Sequence, residues 1–190
     1  MEQYEKWKYS DTFFLWLYGM PGCGKTVLSS TIIANMLEPH DNDHQKIVAY
    51  FYFRFDDNLK TDPVIMLRSI IWQLIQQSVK IQPCVDALFS SSVYKIERRE
   101  LLKEDALRLL QQILQDSPKV FLIVDALDEC TQTEKLFSIL ETIAGWQLEN
   151  VKLLMTSRDE LRIRRSLEQF VGVQNRICLK EIGRASCRER

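Results

Sequence analysis

The chain has 190 residues, of which 46% are hydrophobic, so it can bury one substantial core but is short for two ordinary domains. Its formal net charge of -1, with acids and bases interspersed, provides no broad basic surface of the kind that binds nucleic acids or anionic membranes. The five cysteines form no CxxC pair, and no apolar run approaches the roughly 20 residues that span a bilayer. We therefore expect one domain of a cytoplasmic protein with reduced thiols, and neither nucleic acid nor membrane as its partner.

Apolar runs rich in β-branched and aromatic residues predict the strands of a sheet. Three of the runs are almost unbroken by polar residues, which is typical of strands that helices cover on both faces. The runs are Phe13 to Tyr18, Ile47 to Phe53, Val120 to Val124 and Val151 to Thr156, with a weaker one from Arg176 to Lys180.

Segments with helical spacing lie between these runs. The first helix is expected to end near Glu38, because Pro39 restricts the residue before it. Asp62 and Pro63 predict the N-cap and first position of the second helix, which carries a buried apolar stripe. A third amphipathic segment precedes Pro118.

A fourth helix is predicted after Thr131, which has capping-box spacing to Glu134, and Gly145 is well placed to end this helix. The stretch from Ile81 to Arg99 is harder to interpret, and we expect a short helix and a loop there. Strands alternating with helices predict an α/β fold with a mostly parallel five-stranded sheet and helices on both faces, a three-layer αβα arrangement.

A complete phosphate-binding motif, GxxxxGK[ST], joins the first strand to the first helix. Its glycines permit backbone conformations in which successive N–H groups turn toward phosphate oxygens, and the helix adds the positive end of its dipole. Lys25 is expected to reach the β- and γ-phosphates, and the Thr26 hydroxyl to ligate Mg²⁺. The candidate ATP/ADP-binding residues are Gly19, Pro21, Gly22, Cys23, Gly24, Lys25 and Thr26.

A second acidic site is expected in the segment DALDEC, directly after the third strand. Asp125 ends this strand at the carboxyl edge of the sheet, where ligands of open α/β sheets bind, and is the second candidate Mg²⁺ residue. Asp128 and Glu129 are candidates to orient or deprotonate an attacking water. The alternative is that these acids cap the following helix.

Arg158 follows the fourth strand and is a candidate sensor of the γ-phosphate, although an ordinary surface arginine remains an equal alternative. The arginines at 162, 164 and 165 are interpreted as a solvated helix face. His40 and His44 lie in a polar segment without ligand partners, so no metal site is expected beyond that of nucleotide-bound Mg²⁺.

Five separated motifs together resemble the NACHT-type domain of the STAND P-loop NTPases, especially its nephrocystin-like form in fungal signalling proteins. In chain order they are LWLYGMPGCGKTVLSSTI, AYFYFRFDDN, LRSIIWQL, VFLIVDALDEC and LLMTSR. The small residue Ala126 after the Mg²⁺ aspartate, with an acidic pair beyond it, is similar to the NACHT pattern. The resemblance extends from Trp7 to Lys180. It departs from the family at Asp159, where proline is usual.

The resemblance implies a signalling switch that binds ATP or ADP with Mg²⁺ and hydrolyses ATP slowly. It assigns the phosphate loop to Gly19 through Thr26, the Mg²⁺ aspartate to Asp125, the hydrolytic acids to Asp128 and Glu129, and the first sensor to Arg158. It also implies self-association of a full-length protein with effector and repeat domains. The helical and winged-helix parts that follow in the family are not expected in this chain.

Two other functions remain open on the sequence. A small-molecule or nucleoside kinase uses the same loop, but no segment resembles its arginine-rich lid. A module that binds nucleotide without hydrolysis is the other possibility.

Residues 1–180 are expected to form the NTPase domain. The segment from Ile182 to Arg190 can be encoded by a sequence that resembles a short-read sequencing adapter, so residues 181–190 are interpreted as a non-native tail, the alternative being a genuine basic tail.

Overall fold

The structure, a computed structural model, describes residues 2–38, 46–77 and 102–179. The expectations for residues 81–99, His40, His44 and the tail 181–190 lie outside the described residues. The helices are α1 (Glu2–Tyr9), α2 (Lys25–Leu37), α3 (Pro63–Gln77), α4 (Lys103–Gln115), α5 (Thr133–Gly145) and α6 (Leu161–Leu167). The strands are β1 (Phe14–Gly19), β2 (Lys46–Tyr52), β3 (Lys119–Asp125), β4 (Val151–Arg158) and β5 (Arg176–Leu179).

The five strands form one sheet in the order β2-β3-β4-β1-β5, and every neighbouring pair is parallel. The register brings the carboxyl ends of the strands to one edge. Gly19 at the end of β1 is opposite Arg158 of β4, and Tyr52 at the end of β2 is opposite Asp125 of β3. The residues that follow β1, β3 and β4 therefore meet at the same edge of the sheet.

Helices cover both faces of the sheet, because alternate side chains of each strand point to opposite faces. On β1, Phe14 and Trp16 enter the core shared with α3, α4, α5 and α6, whereas Leu15 and Leu17 enter the core shared with α1 and α2. The first, larger core includes Leu67, Leu110 and Leu140, and the second includes Trp7, Ile33 and Met36. The predicted three-layer α/β fold is confirmed.

The position of the loop after β1 follows from this topology. Helix α2, which follows β1, packs on one face, whereas α6, which follows β4, packs Ile163 and Leu167 on the other face. Since β1 and β4 are neighbours, their following segments diverge and leave a crevice at the carboxyl edge. Ligands of open α/β sheets bind in such crevices.

Most predicted helix ends agree with the structure. Helix α2 ends at Leu37, and Asp62 caps α3 because its Oδ1 accepts a hydrogen bond from the backbone N–H of Val64 at 2.8 Å. Helix α5 ends at Gly145, although the residue that adopts the left-handed conformation beyond it is Gln147, with φ 50°.

The capping box predicted at Thr131 and Glu134 is wrong. Helix α5 begins at Thr133 after an N-cap at Gln132 that makes no side-chain capping hydrogen bond. Thr131 instead donates from its backbone N–H and its hydroxyl to the carbonyl of Thr61, at 3.3 and 3.5 Å. A tertiary contact with the segment before α3 thus displaces the local capping pattern. Among the helices in the described ranges, none has the length and apolarity required to cross a membrane.

Candidate functional site

The segment between β1 and α2 is a glycine-rich loop at the edge crevice. Gly22 and Gly24 have φ values of 78° and 86°, in the left-handed region that side chains disfavour. Gly24 is the N-cap of α2, and no side chain caps this helix. The first N–H groups of the 13-residue helix α2 are therefore available to an anion, and the helix dipole favours negative charge there.

A glycine is needed at position 19 for a different reason, the close approach of neighbouring atoms. A Cβ atom at this position would lie 2.5 Å from the carbonyl oxygen of Leu179 on β5 and 2.9 Å from Sγ of Cys23. Any larger residue would therefore separate β1 from β5 or displace the loop. The Cys23 thiol itself packs against this glycine, which fixes the start of the turn.

Lys25 folds back over the loop. Its Nζ donates hydrogen bonds to the carbonyl oxygens of Gly19 at 3.0 Å and Met20 at 2.9 Å, and lies 3.6 Å from Sγ of Cys23. The ammonium group is thus held beside the N–H groups of the loop, and a polyphosphate between them would meet positive charge from both sides. Pro21 is exposed in the turn.

Asp125 joins this loop to β3. The exposed Thr26 donates from Oγ1 to Oδ2 of Asp125 at 2.8 Å, although the two residues lie 99 positions apart in sequence. Asp125 is only 2% exposed. A hydroxyl and a carboxylate are hard oxygen donors of the kind that Mg²⁺ prefers, so these two residues fit the metal of a bound nucleotide.

Asp128 and Arg158 form an ion pair at the same edge. Oδ1 of Asp128 accepts from the backbone N–H of Arg158 at 2.8 Å, and Oδ2 lies 2.9 Å from Arg158 Nε. The Asp128 side chain is 4% exposed, whereas that of Arg158 is 47% exposed. Both oxygens of this carboxylate therefore orient the arginine. Asp159, the departure from the family pattern, pairs with Arg164 instead.

Glu129 is attached to the segment after β2. Its Oε2 accepts a hydrogen bond from the backbone N–H of Phe55 at 3.0 Å, in an exposed position. Glu129 also lines an open pocket of about 520 Å³ together with Phe55, Asp128 and Arg158. The carboxylate of Glu129 therefore lies at the wall of an open pocket and is held through Oε2 by a backbone N–H. The carboxylate of Asp128, in contrast, contacts Arg158 through both of its oxygens.

The family is shown by a match over most of the chain. The family model described as "Nephrocystin 3, N-terminal" matches residues 1–158. The chain belongs to this family. The resemblance to the nephrocystin-like NACHT-type domain is therefore confirmed. The matched region includes the glycine-rich loop, the acidic segment after β3 and Arg158.

One curated relative is the vegetative incompatibility protein HET-E-1 of Podospora anserina, which is 26% identical over 170 residues. The match includes 87% of this chain but only 12% of the relative, so the chain spans a small part of that protein.

Two solved structures share the fold of this nephrocystin-type chain. One is the ORC1 protein of Aeropyrum pernix in complex with DNA, with a TM-score of 0.59 and 14% identity, covering 91% of this chain and 41% of that one. The other is the Walker-type ATPase PABY2304 of Pyrococcus abyssi, with a TM-score of 0.53 and 12% identity, covering 94% of this chain and 51% of that one. These two proteins therefore share the three-layer α/β P-loop fold of this chain.

The sequence did not assign roles to Ser29 and Thr156, which also contact Asp125. Ser29 Oγ donates to Oδ1 of Asp125 at 2.8 Å, and Thr156 Oγ1 donates to the same oxygen at 2.7 Å. The available signals were a hydroxyl one helical turn after Thr26 and another near the end of β4. Neither signal identifies a partner unless the positions of α2 and β4 relative to β3 are known.

Proposed function

We propose that this nephrocystin-type domain binds ATP or ADP with Mg²⁺, hydrolyses ATP slowly, and so controls the association of domains attached to it in a cytoplasmic signalling protein. The observation that supports the proposal most strongly is the Thr26–Asp125 hydrogen bond of 2.8 Å, which joins the glycine-rich loop to an acid on β3. A phosphate-binding loop and a metal-binding acid must meet in this way to hold a nucleotide and its metal together.

The binding roles follow from the geometry of the loop. The N–H groups at the start of α2 and the ammonium of Lys25 bind the phosphates, while Thr26 and Asp125 would hold Mg²⁺. When bound, Mg²⁺ neutralises charge on the phosphate oxygens. Pro21 and Cys23 shape the loop, and Gly19 allows the approach of β5.

The two acids after β3 receive different roles. Glu129 orients the attacking water, because it borders the open pocket while its Oε2 is held by the backbone N–H of Phe55. Asp128 positions Arg158, because both of its oxygens face that residue. Arg158 in turn senses the γ-phosphate through its exposed guanidinium.

The test is phosphate release from ATP and Mg²⁺ with no added acceptor, which separates hydrolysis from kinase-type transfer. Glu129→Gln retains an oxygen for the Phe55 N–H but removes the carboxylate, so turnover is expected to fall by about 10²-fold or more. The binding of ATP is expected to change little. If neither the wild type nor this variant releases phosphate, the domain is a binding module without hydrolysis.

A double-mutant cycle separates the two acids. If Asp128 acts through Arg158, then Asp128→Asn, Arg158→Gln and the double variant should lose similar amounts of turnover, since the second change removes a contact already lost. Glu129→Gln combined with Arg158→Gln serves as the control and should lose more than either single variant. Additive losses for Asp128 and Arg158 would show that Asp128 has its own role in hydrolysis.

A further inference from the structure

The carboxylate of Asp125 is held unequally on its two oxygens. Oδ2 receives the hydroxyl of Thr26, which is exposed and belongs to the loop. Oδ1 receives the hydroxyls of Ser29 and Thr156, whose residues are both 0% exposed. One oxygen thus faces the loop, and the other is bound in the interior between α2 and β4.

The proton of Thr156 has a defined direction. The backbone N–H of Ala126 donates a hydrogen bond to Oγ1 of Thr156 at 2.9 Å. The hydroxyl of Thr156 therefore accepts from Ala126 and donates its own proton to Oδ1 of Asp125, at 2.7 Å. The hydroxyl of Ser29 has two acceptors within reach, Oδ1 of Asp125 at 2.8 Å and the carbonyl of Thr26 at 3.0 Å. Thr156 is therefore the more firmly directed of the two donors.

Two buried donors on one oxygen restrict the rotation of the carboxylate. A rotation that moved Oδ1 out of the interior would leave the buried hydroxyls of Ser29 and Thr156 without their acceptor, which is costly away from water. The orientation that they select keeps Oδ2 beside Thr26 and the loop. Partners that orient a metal-binding side chain in this way influence metal affinity without contacting the metal.

We infer that Ser29 and Thr156 are positioning residues for the Mg²⁺ site, because they hold the oxygen of Asp125 that does not contact Thr26. This inference rests on the proposed nucleotide function. The role of the Ser29 and Thr156 hydroxyls differs from that of the Thr26 hydroxyl, which would bind the ion itself. Removal of either buried hydroxyl should lower the affinity of the ADP complex for Mg²⁺ and leave the contacts between the loop and the phosphates unchanged.

The experiment measures ADP affinity by calorimetry, in EDTA and across a Mg²⁺ titration, together with the Mg²⁺ concentration that gives half of the gain in affinity. In Ser29→Ala and Thr156→Val this concentration should rise by about tenfold or more, while ADP affinity in EDTA stays within about twofold of the wild type. Thr156→Ser restores the hydroxyl and should return the value close to that of the wild type.

Ser30→Ala is the matched control for Ser29→Ala. Ser30 is the next residue of α2, and its hydroxyl donates to the carbonyl of Thr26 at 2.7 Å rather than to Asp125. Its Mg²⁺ dependence should equal that of the wild type. Thermal unfolding of every variant monitors the fold, and Ser29→Ala decides the question if Thr156→Val does not fold.

The outcomes separate this inference from the proposed function. A wild type that binds ADP with a Mg²⁺-dependent gain, and variants at 29 and 156 with the same Mg²⁺ dependence, would overturn the positioning role alone. A wild type that does not bind ADP, or binds it without regard to Mg²⁺, would overturn the proposed function and the positioning role together. An equal loss of ADP affinity in EDTA would show a merely structural effect and would also overturn the positioning role.

Discussion

At the scale of single residues, Ala126 shows how a side chain can be selected by the backbone. Its φ and ψ are 59° and 54°, a left-handed conformation that costs a non-glycine residue about 1 to 2 kcal/mol. The turn places Asp125 at the end of β3, and the N–H of Ala126 donates to Thr156. A β-branched residue is therefore disfavoured after this aspartate.

Substitutions at Ala126 should rank by their tolerance of this conformation. Ala126→Gly relieves the strain but increases the entropy of the unfolded chain, so the free energy of unfolding should change by less than about 1 kcal/mol. Ala126→Val places a β-branched residue in the left-handed region and should cost about 2 kcal/mol or more. The measurement is the urea midpoint at constant m-value.

Ala144→Val is the matched control, because Ala144 is also half-buried but lies within the regular helix α5. It should cost about 0.5 kcal/mol from helix propensity together with any local crowding. If Ala126→Val lowered the free energy of unfolding no more than this control, Ala126 would not adopt the left-handed conformation in the folded protein.

At the scale of elements, the strands were more predictable than the contacts at their ends. Apolar runs located β1 to β4 because both faces of the sheet are covered there, and a buried strand has a continuous apolar signal. The run for β5 was weaker because this edge strand is only partly buried. Strand β4 extends beyond the predicted Thr156 to Arg158, since Ser157 and Arg158 pair with Tyr18 and Gly19 of β1. This pairing depends on register, which local hydrophobicity does not reveal.

In the candidate site, too, residues defined by local sequence were predictable, whereas contacts between distant segments were not. Lys25, Thr26 and Asp125 could be assigned because a contiguous motif and a strand end define them. The pairing of Asp128 with Arg158 joins residues 30 positions apart, and it requires the positions of β3 and β4 in three dimensions. Helix α1 was not predicted at all, since its mean hydropathy is low and its length is 8 residues.

Helix α1 is stabilised by tertiary contacts rather than by its own sequence. Tyr4 and Trp7 are buried against the sheet, and Trp7 packs edge-on against Phe121 with ring centroids 6.0 Å apart. Nε1 of Trp7 donates to the carbonyl of Phe13 at 3.2 Å, and Nζ of Lys119 donates to the carbonyl of Lys8 at 2.9 Å. These contacts fasten α1 to the amino edge of the sheet, away from the loop.

The docking of α1 should be visible in alkaline unfolding. Burial, together with the charge of Glu5 and the neighbouring Tyr9, raises the pKa of Tyr4 to about 12 from its usual value of 10.0. Below pH 10 the phenol is neutral in both states, so its contribution is constant. As the pH rises from 10 to 12, the unfolded chain ionises first, and folding should lose stability, by about 1 to 2 kcal/mol because solvent screens part of the effect.

Tyr4→Phe retains the buried ring and removes the titrating group. The difference in unfolding free energy between the wild type and Tyr4→Phe should therefore be constant from pH 7 to 9 and should shift in favour of the variant above pH 10. Parallel pH profiles up to pH 12 would mean that Tyr4 is not buried and that α1 is not docked as described.

At the scale of the whole molecule, the crevice arises because the helices after β1 and β4 lie in different layers. The loop belongs to the layer of α1 and α2, while Arg158 leads into α6 in the other layer. Asp125 lies in the sheet between them. A nucleotide in the crevice would therefore contact all three layers, and its binding should stabilise the fold as a unit.

The size of this stabilisation can be stated in advance. A ligand at about 100 times its dissociation constant adds about 2.7 kcal/mol when it binds only the folded state. For a domain of about 150 to 250 residues each kcal/mol raises the Tm by roughly 2 to 4 °C, so ADP with Mg²⁺ should raise the Tm by about 5 to 10 °C. Lys25→Ala should remove about half of this shift or more, because the loss of a charged hydrogen-bond donor weakens phosphate binding by about 10-fold or more.

Without ligand, the Tm of Lys25→Ala should lie within a few degrees of that of the wild type, because the ammonium group of Lys25 is hydrogen-bonded to atoms of the loop itself, at Gly19, Met20 and Cys23. Lys6→Ala is the control, since Lys6 is an exposed lysine on α1, and it should retain the full ligand shift. If Lys25→Ala kept the wild-type shift at the same ADP concentration, the nucleotide would have to bind elsewhere. The stabilisation across layers would then have another origin, since the cation that is hydrogen-bonded to the carbonyls of Gly19 and Met20 would have been removed without effect.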